Sequence, residues 1–166
     1  MSPLNVLRAI EQELPLLLQD ETKWKGVDVT YHPPRVERLW QQWGSYRIYL
    51  HRVHPCTEEE ALLHPHPWPQ AVKVLSGRYE MGIGVSPDLI APPIVCRTTT
   101  EGVFEYEMDH PHGWHYVRPL EGSSMSIMVT LQPWEREVIK SSNPLPELGT
   151  ANRAELLQFF RERYPA

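Results

Sequence analysis

Between Tyr46 and Leu131 the chain falls into short runs rich in β-branched, aromatic and aliphatic residues, each closed by Gly, Pro, Ser or Asp. The runs are Tyr46–Val53, Gln70–Ser76, Tyr79–Val85, Ile94–Thr100, Val103–Met108, Trp114–Val117 and Ser124–Leu131. They are too short for free-standing helices and too numerous for a hairpin. A strand hides its apolar face only against other strands or helices, so a series spaced about 8–12 residues apart predicts a β-sandwich or barrel. The 17 prolines fit this punctuation, and the 6 tryptophans supply wide apolar surfaces to bury.

The two ends read differently. Ser2-Pro3 has the form of an N-cap followed by proline in the first turn, and Leu4, Leu7, Ile10 and Leu14 recur at helical spacing, which predicts a helix over about 3–18. Residues 21–34 carry no clear period. In Arg35–Trp43 the side chains Val36, Leu39, Trp40 and Trp43 share a helical face before Gly44, which predicts a further short helix. Near the far end Asn152-Arg153-Ala154-Glu155 has the capping-box pattern, and Leu156, Phe159 and Phe160 make an apolar face, so a second terminal helix is expected over about 152–163. With 166 residues, no internal repeat and no linker-like tract, the chain is expected to form a single domain over 1–166, its barrel core spanning about 45–132.

Several function classes fall away. A formal charge of −5 with scattered Lys and Arg offers no stripe for phosphates, so nucleic acid is not an expected partner. No apolar segment approaches the ~20 residues that span a bilayer, so no membrane partner is expected either. Cys56 and Cys96 form no CxxC pair, and no basic-then-apolar leader precedes the helix, so the reading is a cytoplasmic chain without a disulfide framework.

The chemistry gathers in the middle, where all 8 histidines lie between His32 and His115. In His64-Pro65-His66 the two imidazoles are two residues apart, and in extended backbone residues i and i+2 point the same way, so both rings can reach one metal ion. A third ligand must come from elsewhere, and the other dense segment is His110-Pro111-His112-Gly113-Trp114-His115. The bland reading of His64 and His66 is a proline-stiffened surface loop. His51 and His54 are three apart on a strand and face opposite sides. His51 shares its face with Arg47 and Tyr49, so it either lines a pocket as a catalytic candidate or is a hydrogen-bonded strand histidine. Tyr79, Met81 and Ile83 share a face that should turn inward, which makes the Tyr79 hydroxyl a candidate proton donor or else core filler. Trp68 and Trp114 neighbour the histidines as walls or rim residues, while Glu58-Glu59-Glu60 reads as a solvated loop.

These residues resemble the cupin superfamily of small double-stranded β-helix (jelly-roll) barrels. His64-x-His66, Gln70 and Gly77 reproduce the spacing of the first cupin motif, and Pro111-His112-Gly113-Trp114-His115 loosely matches the second, with one residue fewer between Gly and His. Tyr49-Leu50-His51-Arg52, an acidic loop and then His64-Pro65-His66-Pro67-Trp68 look like a bacterial subgroup of unassigned activity. The resemblance covers roughly 45–132, with three departures: Gln70 replaces a glutamate, Glu58 a glycine and Pro119 an asparagine.

The resemblance implies a mononuclear divalent metal held by His64, His66 and His115, with His112 as the alternative third ligand and Gln70 as a weaker fourth or an orienting residue. Iron(II) is the expected ion, with Zn, Ni, Mn or Co as alternatives, and three imidazoles would leave coordination positions open for catalysis. It further implies a metal-dependent, dioxygenase-like enzyme acting on a small organic molecule, or an isomerase or decarboxylase. The neutral Gln70 keeps open a cupin that binds a small molecule without catalysis. Exposed sheet edges, terminal helices and many tryptophans suggest a homodimer.

Overall fold

The computed structural model describes residues 1–88, 90–135 and 144–166. Two helices flank the strands, α1 (Pro3–Leu17) and α2 (Thr150–Arg163). The strands are β1 (Lys25–Val29), β2 (Val36–Trp43), β3 (Tyr46–Val53), β4 (His64–Pro65), β5 (Gln70–Val74), β6 (Arg78–Val85), β7 (Cys96–Glu101), β8 (Phe104–Met108), β9 (Gly113–Pro119) and β10 (Ser124–Thr130). They pair antiparallel in two sheets, a six-stranded one in the order β1-β2-β3-β10-β5-β8 and a four-stranded one in the order β4-β9-β6-β7. This is a mostly β, cupin-type jelly roll with a helix at each end. Among the described residues no helix is long and apolar enough to cross a membrane.

The alternation that predicted strands also sorts their side chains. On β10, Met125, Ile127 and Val129 turn outward to a core shared with Leu7, Ile10 and Leu14 of α1 and Leu156 and Phe160 of α2. Met128 turns inward, to a second core between the sheets built from Tyr49, Val72, Val74, Tyr79, Met81 and Tyr106. The helices therefore cover the outer face of the six-stranded sheet, and the inter-sheet space is left for the second core and the histidines. Each fully buried aliphatic side chain in the outer core contributes about 1.5–3 kcal/mol relative to exposure.

Turn chemistry fixes the ends of the strands. Gly77, between β5 and β6, has φ +90°, and a Cβ there would sit 2.6 Å from Ser124 Oγ, so only glycine fits. At the N-terminus Ser2 Oγ accepts from Asn5 N at 3.3 Å, as its cap position predicted.

The predicted helix over Arg35–Trp43 is instead strand β2. Glu37, Leu39 and Gln41 are its buried residues, a period of two, and β2 pairs along its whole length with β3. The apolar residues 36, 39, 40 and 43 fit a helical face equally well, but Gly44, with φ +59°, closes a tight hairpin onto β3 that a helix could not join. The unclassified segment before it supplies β1. In α2 the cap is Gly149, which makes no side-chain hydrogen bond, so Asn152 lies inside the first turn and not at the cap. Glu155 is consequently free to pair with Arg52 at 2.9 Å.

Candidate metal centre

A two-residue strand assembles the site. In β4, His64 lies directly opposite His115 and Pro65 opposite Trp114, and the His66 amide continues the ladder by donating to Gly113 O at 3.1 Å. Pairing β4 with β9 thus brings the first histidine segment to the second. The ring centroids are 4.9 Å apart for His64 and His66, 4.8 Å for His64 and His115, and 4.0 Å for His66 and His115. One ring nitrogen from each lies within 4.8 Å of the others.

Donors bound ~2.1 Å from one ion sit roughly 3–4 Å apart, so small ring rotations suffice to close this triad on a cation. Two further observations fit a metal. His64 Nδ1 is 2.8 Å from Leu62 O, and an Nδ1–H donating there fixes the ring and leaves Nε2 as the basic atom. His115 Nδ1 is buried without a hydrogen-bond partner. Burial, with His66 and His64 beside it, holds His115 well below the usual imidazole range, and burial also lowers His64, so both are the neutral ligands a cation requires.

Gln70 is fully buried at the start of β5, opposite Met108 and Thr130. Its Oε1 has no partner and its Nε2 reaches only Met108 Sδ, at 4.0 Å. An orphaned buried carbonyl costs about 1–3 kcal/mol, which an ion or a bound donor would relieve.

The structure separates the remaining sequence candidates. His110 and His112 are exposed in the turn before β9, and the third ring at the triad is that of His115. Tyr79 is buried in the inter-sheet core with its hydroxyl 3.1 Å from that of Tyr106. Along β6 the residue facing His115 is Ile83, which places the Tyr79 backbone about 13 Å away at ~3.3 Å per residue. Burial raises the Tyr79 hydroxyl well above its ordinary pKa. His51 is buried on the inner face of β3, its Nε2 accepting from Arg38 Nε at 2.9 Å, while His54 faces the other way and bonds Glu37 at 2.9 Å. Trp114 is buried with its indole N–H donating to Ser86 O at 3.2 Å. Glu58 forms an ion pair with Arg97.

Two further residues were missed from sequence, one beside the triad and one beside His51. His32, in the connection from β1 to β2, has its ring 6.5 Å from that of His64. Arg38 was concealed by the helical reading of its segment, since only a strand aims it inward beside His51. An alternation count over 36–43 was the available signal, weaker than the helical one.

No family model matches the chain, and no curated protein matches it. Solved structures do. The chain is similar to hydroxypropylphosphonic acid epoxidase from S. wedmorenis at 13% identity and a TM-score of 0.53, covering 67% of this chain and 56% of that one. It is similar to the iron(II) form of that enzyme, HppE, at 14% identity and a TM-score of 0.52, covering 67% and 57%. A third match, iron(II) HppE with an alternative substrate, has 13% identity and a TM-score of 0.54 with the same coverage of 67% and 57%. The chain spans a little over half the length of these proteins, and at identities this low the likeness shows a common fold alone.

Proposed function

We propose that the protein is a mononuclear metal-dependent cupin, dioxygenase-like, acting on a small organic molecule. The observation that carries this reading is the convergence of His64, His66 and His115, each with a ring nitrogen within 4.8 Å of the others. In this reading the three imidazoles hold the ion, and Gln70 supplies a weak fourth donor or orients a group bound beside it. When bound, such an ion offers open positions where a substrate donor and a small co-substrate are brought together. The chain's own work is to hold neutral rings in place, through the Leu62 carbonyl and the β4–β9 ladder. Iron(II) is the proposed ion, supported by the iron(II) named for a structure of the same fold. Tyr79, tied to Tyr106 in the apolar core, is assigned to packing, and His51 to the pocket wall.

The neutral Gln70 favours a second reading, a cupin that binds a small molecule without turnover, because an amide leaves a metal one negative charge short. Metal analysis of the purified protein separates them, together with H64A, H66A and H115A. About one equivalent of metal in the wild type, lost in each variant while the fold is kept, supports the metal centre. Wild-type protein that takes up no iron(II), cobalt(II) or zinc(II) overturns it.

A further inference from the structure

The inner face of the barrel has an unusual charge balance. Reading the register inward, β2 contributes Arg38 and Trp40 opposite His51 and Tyr49 of β3, and Tyr49 belongs to the inter-sheet core. Among the described residues the polar partner of the Arg38 guanidinium is His51, whose Nε2 lies 2.9 Å from Arg38 Nε, and the group rests over the Tyr49 ring at 4.9 Å. No carboxylate pairs with it among the described residues, whereas the half-buried guanidinium of Arg52 on β3 has Glu37 and Glu155, and that of Arg118 on β9 has Glu80.

The inward positions of the two central strands of this sheet offer no counter-charge. On β5 they are Gln70, Val72 and Val74, and on β10 they are Ser124, Ser126, Met128 and Thr130. Among the described residues the one buried acidic side chain is Glu37, which lies on the opposite face of β2 and is already paired with Arg52 and His54. A buried or half-buried cation without a counter-ion is costly, and a divalent ion held by three neutral imidazoles would add two further positive charges to the barrel. The β1–β2 connection links the two places, for His32 stands 6.5 Å from His64 at one end of the segment that delivers Arg38.

We infer that Arg38, set by His51 and Tyr49, is the oxyanion-binding residue of the barrel, and that the substrate is a small organic anion whose carboxylate or phosphonate pairs with this guanidinium. This rests on the metal-centre reading only for the second anchor of the ligand. His51 acts as a positioning residue: its neutral ring accepts from Nε, so the two terminal nitrogens of the fork are presented together, the geometry that suits a two-oxygen anion.

The test is calorimetric titration of the zinc-loaded and the metal-free protein with propionate, methylphosphonate and, as the neutral control, propionamide. The expected result is binding of at least one anion, none of propionamide, and a loss of tenfold or more in anion affinity in R38M with zinc stoichiometry unchanged. Selective binding of propionate identifies a carboxylate site, and selective binding of methylphosphonate a phosphonate site. R38K, which keeps the charge and loses the fork, is expected to bind several-fold more weakly, and it serves if R38M does not fold. Anion affinity equal to wild type in R38M or R38K, or no binding of either anion by wild type in either state, overturns the inference. Failure to take up zinc with Arg38-dependent anion binding retained overturns the metal centre alone.

Discussion

At position 70 the barrel buries an amide whose Oε1 has no hydrogen-bond partner, where the cupin pattern has a carboxylate. A glutamate of nearly the same size tests what that position faces. In Q70E the metal-free protein gains a buried carboxyl group and loses stability, while the metal-loaded protein gains an anionic donor. Chelator competition is expected to give at least tenfold tighter metal binding, and thermal unfolding a wider gap between loaded and metal-free forms than in wild type. Unchanged metal affinity would place residue 70 outside the reach of the ion. The pair His64 and His66 was readable without a fold, because same-face spacing in extended backbone is a local property. The partnership with His115 was readable only through a motif, since it depends on which strand lies opposite β4. His32 gave no signal, because its approach is set by a connection without a period, and the inward aim of Arg38 was hidden behind the stronger helical pattern of its strand.

Strand β2 shows what decides an element when local signals conflict. Its apolar residues fit a helix, yet the buried residue that commits it to the sheet is charged: Glu37, 1% exposed, accepts from Arg52 Nε at 2.9 Å and bonds His54 at 2.9 Å. Arg52 continues to Glu155, so one carboxylate ties β2 to β3 and, through that arginine, to α2. Removing it leaves the partly buried Arg52 guanidinium with only the more exposed Glu155 as counter-charge. E37A is therefore expected to lose about 3–5 kcal/mol of unfolding free energy in urea, far more than an exposed ion pair is worth. The double variant E37L/R52M, which removes both charges, is expected to recover part of that loss. A cost below ~1 kcal/mol for E37A would show that the hairpin at Gly44 and the ladder alone hold β2. Strands β3 and β10 were legible because one buried face of each is apolar, Ile48 and Leu50 on the first and Met125, Ile127 and Val129 on the second. Here the buried side carries Glu37 and Gln41, and a hydrophobicity pattern cannot see a face closed by ion pairs.

Across the whole molecule the two cores divide the labour: helices and outer sheet face supply apolar burial, while the inter-sheet space holds histidines kept neutral by their surroundings. That division makes stability depend on pH in a stated direction. Burial, with Arg38 adjacent, holds His51 well below the ordinary value of 6.5, and burial with the neighbouring imidazoles does the same for His115. Below that value the unfolded chain takes up protons at both rings and the folded chain does not. Their contribution is therefore fully present above about pH 6.5 and is lost as pH falls, each ring giving a slope of up to about 1 kcal/mol per pH unit. The midpoint of urea unfolding of the metal-free protein is expected to drop between pH 7 and pH 5.5, and H51Q, which removes one of the two rings, to flatten that drop. Metal binding requires a neutral His115 as well, so loading should steepen the dependence, because protons then compete with the ion as well as with the fold. A midpoint independent of pH over this window in the metal-free protein would mean that the rings become protonated inside the barrel, and the compartment would then be wetter than its burial implies.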